Sequence, residues 1–410
     1  MFDVLIVGGG MVGASLAVAL KPLNLKVGLI EAFALESNQQ PSYDDRTVAL
    51  SHGSRLIYQG MHIWSEIERG SEAIQHIHVS DRGHFGATRI HAAQEKVPAL
   101  GYVVENRVLG RVLYNALPEP QYFELFMPAT VTEVVPSPEQ VDVVIQSGAS
   151  TQTLSTQTLS TQLLVVADGA RSPIREQLGI TTTQHDYGQT AVITNVSTEY
   201  LPNQIAYERF TAQGPIALLP ITNNRYSLVW TQPNVEVPTV MSWSDAEFLA
   251  QLQDAFGYRQ GRFTKVGKRA AYPLVLVKTT TETAERTIIM GNASHAIHPV
   301  AGQGLNLSLR DVAVLTDLLA DAVATGEDIG SSTLLAHYSA ARQQDYRQTI
   351  TYTDSLVRLF SNDHGLLGHL RAGGLSLMDR VPPLRRWVTQ QSMGINQRKA
   401  RLARGAELRV

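Results

Sequence analysis

The stretch FDVLIVGGGMVGASLAVAL, residues 2–20, decides the fold. Residues 2–7 are an unbroken apolar, β-branched run of the kind that fills a parallel strand buried on both faces. A glycine cluster follows, then apolar residues at helical spacing, and LKVGLIE at 25–31 reads as a second strand. Strand, turn, helix and strand within about 30 residues make a right-handed βαβ unit. Gly8-x-Gly10-x-x-Gly13 joins the first strand to the helix. Gly8 permits the tight turn, Gly10 lets the backbone approach a pyrophosphate, and Gly13 allows close helix–strand packing. Free N–H groups and the positive end of the helix dipole then favour phosphate. Glu31 closes the second strand 18 positions beyond Gly13. An acid there accepts hydrogen bonds from a ribose diol. The glycines alone suit a structural turn equally well; with both strands and Glu31 they favour a bound dinucleotide, FAD or NAD.

Composition bounds the rest. The 410 residues suffice for two or three domains with a sizeable core. The formal charge of −3 gives no basic footprint for nucleic acid. Only 17% of residues are charged, against roughly 25% in ordinary soluble domains, leaving room for an extensive apolar pocket. With no cysteine, disulfides, thiolate metal sites and a Cys nucleophile are excluded. The amino terminus lacks a basic n-region, and no apolar run reaches the length of a transmembrane helix. The expectation is a cytoplasmic protein, at most peripheral on the inner face of the cytoplasmic membrane.

Further along, residues 36–45 read as a loop, 47–70 and 108–117 as helical, and 141–146 and 163–168 as strands. Stretches 74–90 and 187–232 read as antiparallel strands. The repeat TQTLS at 151–155 and 156–160 reads as an expanded hairpin. Residues 286–294 form a strand entering a glycine turn; 304–325 form a strong helix closed by Gly326, and 333–361 read as helical.

Two later segments carry chemistry. Ala167-Asp168-Gly169 ends a buried strand and precedes Arg171 and Arg175. GNASHAIHPVAGQGLN at 291–306 runs into the long helix, so Gly302, Gly304 and the helix start aim N–H groups at developing negative charge. His295-x-x-His298 has the spacing of a metal pair, but Pro299 and the glycines argue against a helical ligand pair there.

With the glycine fingerprint, these segments match in order and spacing the FAD-dependent aromatic hydroxylases of the para-hydroxybenzoate hydroxylase type, which the chain resembles over nearly its whole length. HVSDRG at 78–83, ERFTAQGPIALLP at 208–220 and SLVW at 227–230 resemble the branch of that family working in ubiquinone biosynthesis. The resemblance implies a Rossmann-like α/β FAD-binding domain (1–72, 97–180 and 270–330), an inserted antiparallel-sheet substrate domain (73–96 and 181–269) and a helical C-terminal segment (331–410). It implies that Gly8, Gly10 and Gly13 hold the FAD pyrophosphate and Glu31 the adenosine ribose. Arg46 and Arg107 would contact the phosphate and ribityl region, and Asp168 would serve both FAD and transient NAD(P)H. Asn292 would face the ribityl chain, while Gly302, Gly304, Leu305 and Asn306 would lie near the isoalloxazine. Most of the family has Gly-Asp where this chain has Gly291-Asn292, an uncharged substitute.

The implied reaction is hydroxylation of the ring of a polyprenylated (methoxy)phenol with O₂ and NAD(P)H, through a flavin C4a-hydroperoxide, without side-chain nucleophile or metal. Phe210, Leu218, Leu219, Pro220, Trp230 and Pro299 are candidates for an apolar substrate tunnel, each with plain sheet core as the competing reading. Residues 371–410 carry nine basic side chains and two acids, which suggests contact with anionic lipid or with a complex of ubiquinone-biosynthesis proteins. An FAD-dependent reductase and a non-catalytic flavoprotein subunit stay open as alternatives, since fold alone does not fix chemistry.

Overall fold

The computed structural model describes residues 1–34, 46–83, 87–148, 155–297, 302–360, 381–395 and 400–408. Its first sheet has eight strands, and the central five are parallel in the order Thr287–Ile289, Ser155–Val166, Phe2–Val7, Val27–Ile30, Phe123–Phe126. Alternation divides the buried strands between two faces. Val4, Ile6, Leu163 and Val165 join the core beneath helices Met11–Leu20 and Gln303–Thr325, while Leu5, Val7, Leu164 and Val166 pack against the hairpin of Ala129–Pro136 and Val141–Ser147. The repeat feeds this architecture: Ser155–Val166 pairs antiparallel with Val141–Ser147 before continuing as the parallel neighbour of the first strand. Residues 151–154 of the repeat lie outside the described residues, as does the whole loop expected at 36–45.

A nine-stranded sheet gathers strands from 76–91, 182–279 and 295–296. It is mainly antiparallel, with one departure from the sequence reading: His76–Asp81 pairs in parallel with Ile205–Phe210. One face is covered by helix Asp245–Phe256, whose Phe248, Leu252 and Phe256 meet Ile216, Leu218, Leu228 and Trp230. Ser244 caps that helix in a reciprocal capping box with Glu247.

A three-stranded antiparallel sheet of Thr47–Ser51, Gly101–Glu105 and Ser71–Ile74 corrects the helical reading of 47–70. Helices occupy only His52–Gly60 and Trp64–Arg69. Residues 47–51 extend because they pair with a strand some 50 positions away, which local periodicity cannot reveal. Ser51 then starts the helix, its hydroxyl accepting from the Ser54 N–H at 3.2 Å.

The C-terminal segment is not a free basic tail where it is described. Leu402, Ala403 and Leu408 are buried in the main core, and Arg401 pairs with Asp321 while its N–H donates to Asp317 at 2.8 Å. Residues 361–380, 396–399 and 409–410 lie outside the described residues, including Arg371, Arg380, Arg398, Lys399 and Arg409.

The two faces of the large sheet make separable demands. Trp230 is buried against Phe248, ring centroids 5.5 Å apart. Trp230→Ala is expected to lower stability by about 3–5 kcal/mol, read by denaturant melts, through loss of core volume.

Candidate active site

The parallel order places the carboxyl ends of strands 287–289, 155–166 and 2–7 side by side, the edge where open α/β sheets bind ligands. The three motifs therefore meet. Ala167 N–H donates to the Val7 carbonyl at 2.7 Å, and Met290 N–H to the Val166 carbonyl at 2.8 Å. Arg175 links the second motif to the third, donating to the carbonyls of Ala170 at 3.1 Å and Ala293 at 2.9 Å.

Gly8 has a φ of +104°, and a Cβ there would overlap the Ala167 carbonyl; one at Gly13 would overlap the Gly8 carbonyl oxygen. Gly10 opens helix Met11–Leu20 without a side-chain cap, and no acid sits in the first turn, so the helix start is free for an anion. Glu31 is buried at the end of its strand, accepting from Gly9 N–H at 2.7 Å and Phe33 N–H at 2.9 Å. Tyr114, which the sequence reading passed over, donates to the Gly9 carbonyl at 2.8 Å and so braces the same loop.

Asp168 follows the strand end. Its carboxylate oxygens are shielded and make no hydrogen bond of normal geometry among the described residues. Burial pushes this carboxyl up, against the opposing influence of nearby Ser172 and Arg175. A shielded carboxylate with lone pairs to spare can accept further hydrogen bonds from a hydroxyl-rich group. Arg46 stacks its guanidinium 5.1 Å from the Tyr272 ring. Arg107 and Arg225 both bind Glu105, at 2.6 and 3.0 Å.

Beside this edge lies a cavity of about 480 Å³. Asn292, Gly302, Gly304, Leu305 and Asn306 border it on one side, with Thr47, Ala49 and Ser51. Asn292 is exposed between two buried neighbours, and a Cβ at Gly304 would meet open space. The Asn306 side chain is used internally: it accepts from Ser51 N–H at 2.8 Å and donates to the Ala49 carbonyl at 2.8 Å. It thereby pins the short strand to the helix start.

The opposite wall is the free face of the large sheet: Ile77, Val79, Ile193, Phe210, Ala217, Leu219 and Val229, with Val388 and Met393 closing one end. Of the expected tunnel residues, Phe210 and Leu219 line the cavity. Leu218 and Trp230 do not; they sit one residue out of phase, in the core beneath helix Asp245–Phe256, because successive strand residues face opposite ways. Pro220 is buried and, two residues from Leu218, shares that phase. Pro299 and His298 lie outside the described residues.

The helix that begins at Gly302 is held by a buried ion network. Arg342 binds Asp311 at 2.6 Å and Asp345 at 2.7 Å, and Arg310 binds Asp345 at 2.7 Å. Burial alone would raise the Asp345 carboxyl, but Arg310 and Arg342 hold it well below the usual carboxylate range. His295 is buried 3.5 Å from Asp311, and burial lowers its pKa.

The uncapped helix start, the side-chain-free cradle, the shielded carboxylate of Asp168 and an apolar cavity opening on Gly302 and Gly304 together suit a flavin dinucleotide, so fold and site define a flavoprotein. The FAD binding domain family matches residues 1–353, and the chain belongs to that family. It is an FAD-dependent monooxygenase. It is 36% identical to the ubiquinone hydroxylase UbiL of Rhodospirillum rubrum, the alignment covering 99% of this chain and 93% of that one. It is 29% identical to the 3-demethoxyubiquinol 3-hydroxylase of Escherichia coli, covering 96% and 98%. Among solved structures, p-nitrophenol 4-monooxygenase PnpA of Pseudomonas putida superposes with a TM-score of 0.79 at 17% identity, covering 98% of this chain and 99% of that one.

Gly13→Ala is expected to yield protein lacking flavin absorbance after purification, because the helix can no longer approach Gly8. Asp311→Asn, which leaves Arg342 undercompensated, is expected to cost about 3–5 kcal/mol in a denaturant melt. The depressed Asp345 carboxyl adds a sign to the pH dependence. Its stabilisation is present above the unfolded carboxylate pKa of about 3.9 and is lost as pH falls below it. Acid titration of the melting temperature checks this.

Proposed function

We propose that this protein hydroxylates the aromatic ring of a polyprenylated (methoxy)phenol in ubiquinone biosynthesis, consuming O₂ and NAD(P)H. The observation that carries this reading is the apolar cavity walled by Phe210, Leu219 and Val229 and opening on the helix start at Gly302 and Gly304. Its volume of about 480 Å³ is in the range of small-molecule sites, roughly 300–1,000 Å³. The names of the two quinone-pathway relatives point to the same substrate class.

FAD, when bound, supplies reduction by NAD(P)H and activation of O₂. The chain supplies placement and dryness. Gly8, Gly10 and Gly13 would hold the pyrophosphate, Glu31 and Asp168 ribose or ribityl hydroxyls, and Asn292 the ribityl chain. The N–H groups at Gly304, Leu305 and Asn306 stabilise negative charge at the helix start. Arg46 and Arg107 would flank the phosphates. Ile77, Phe210, Leu219 and Val229 exclude water and seat the prenyl chain, each buried CH₂ contributing about 0.8 kcal/mol.

We further propose that the substrate enters from a membrane surface near helix Pro382–Ser392. Val388 and Thr389 of that helix line the cavity, while Arg386 is exposed. An assembly with other proteins of the pathway would deliver the same access.

Substrate-dependent NAD(P)H oxidation with incorporation of ¹⁸O from O₂ into the ring tests the reaction; oxidation without incorporation would point to a reductase instead. Leu219→Trp, which fills the cavity, is expected to raise KM for a prenylated phenol at least about tenfold, measured by steady-state kinetics.

A further inference from the structure

One side chain on the cavity wall is out of keeping with its surroundings. Glu208 stands in strand Ile205–Phe210, and the alternation that turns Ala206 and Phe210 to the cavity turns Glu208 there as well. Its partners across the sheet are Val79 and Ala217, so neither neighbouring strand offers it a cation or a side-chain donor. Among the described residues lining the cavity it is the one acid, with no Lys, Arg or His beside it. The arginines of this region, Arg89, Arg209 and Arg259, act instead on His78. Burial, opposed by no neighbouring charge or hydrogen bond, pushes the Glu208 carboxyl up to about 7.

The other groups facing it are few. Tyr207, the next residue on its own strand, packs in the core on the other face, where its hydroxyl accepts from the Gln260 side chain. Strand His76–Asp81 presents Ile77 and Val79, and strand Ile216–Ile221 presents Ala217 and Leu219. From helix Ser332–Phe360 comes Tyr352, whose hydroxyl shares a hydrogen bond of 2.9 Å with Ser392. Burial, and then the charge on Glu208, raises the pKa of Tyr352. The Ser392 carbonyl in turn accepts from Gln303 at 3.1 Å. The acid therefore lies at the end of the cavity where the C-terminal helix meets the flavin-facing helix start. An unpaired carboxylate in an apolar wall destabilises the fold, and such a group in a cleft is where a chemical role is expected.

We propose that Glu208 is the catalytic residue that accepts a hydrogen bond from the substrate's phenolic hydroxyl and takes its proton during ring hydroxylation. The phenol O–H bond breaks, the electron pair stays on oxygen, and the proton passes to a Glu208 carboxylate oxygen. The ring becomes more electron-rich and attacks the activated oxygen more readily: the C–O bond forms as the O–O bond breaks, and the proton on the attacked ring carbon passes to the departing oxygen as the ring regains aromaticity. The phenolic oxygen regains its proton from Glu208 before the hydroxylated product leaves. This assignment rests on the hydroxylase reading above.

The test uses the full FAD-loaded chain and the variants E208Q and E208D, with 4-nitrophenol as a probe because its anion absorbs visible light. Bound to the wild type at pH 7 the probe is expected to show the anion band; E208Q is expected to lose it and E208D to regain it in part. With a prenylated phenol, kcat/KM of the wild type falls as pH drops below about 7, where Glu208 becomes protonated. E208Q lacks that acidic limb, and its rate is lower by about 10²–10⁴-fold. A third readout needs no turnover. The raised carboxyl pKa makes wild-type stability fall as pH rises from the unfolded Glu value of about 4.3 to about 7, so E208Q should melt higher than wild type at pH 8 and alike at pH 4. An anion band and acidic limb that both persist in E208Q would overturn the assignment. A band that depends on Glu208 in a protein that hydroxylates no phenol would overturn the hydroxylase reading while leaving the proton acceptor in place.

Discussion

The close approach of a helix start to the edge of a parallel sheet is the constraint on which everything else depends. Backbone at Gly8, Ala167 and Gly13 comes together at distances that leave no space for a Cβ. Only because no side chain intervenes can the first turn of the helix present unbonded N–H groups to an anion. The strand order then brings Asp168 and the Gly291–Ala293 turn to the same edge. A cofactor bound there is held by backbone more than by side chains, which fits an enzyme whose hard chemistry belongs to the flavin.

The second constraint is the double use of the large sheet. One face must be covered to be stable, and helix Asp245–Phe256 covers it with a cluster built around Trp230 and Phe248. The other face is left apolar without a permanent cover, and it becomes the wall of a chamber. The opposite wall comes from the helix start at Gly302 and the strand at 47–51, so a ring bound there as proposed would lie between a greasy surface and that helix start. Glu208 breaks the apolar character of that wall at one point, near Tyr352 and Ser392. Under the proposed role, one acid among the described lining residues makes the chamber chemically directional: it offers an otherwise hydrocarbon-lined site one group able to tell a phenol from its ether.

The long helix Gln303–Thr325 is itself anchored from behind. Asp311, Arg342, Asp345 and Arg310 form a compensated, buried set, tying it to helix Ser332–Phe360. Such a set is worth little in net stability against an apolar replacement, but it tolerates no half-measures, since removing one member strands another's charge. Asn306 does the corresponding job in front, spending all of its hydrogen-bonding capacity on Ser51, Ser54, Ala49 and Gly302.

Local pattern in the sequence determined the βαβ unit, the tight turn at Gly8 and close packing at Gly13, the long helix with its glycine stop at 326, and three segments that meet at one edge of the sheet. These were legible because each depends on nearest neighbours in the chain: strand periodicity, turn conformation and helix ends. Only the tertiary structure decided that residues 47–51 extend rather than coil, because their partners at 101–105 are remote. It also decided that Leu218 and Trp230 belong to the core while Leu219 and Glu208 belong to the cavity. A strand's alternation says that neighbours face opposite ways, but which way is inward depends on what packs against each face, and that is not written locally.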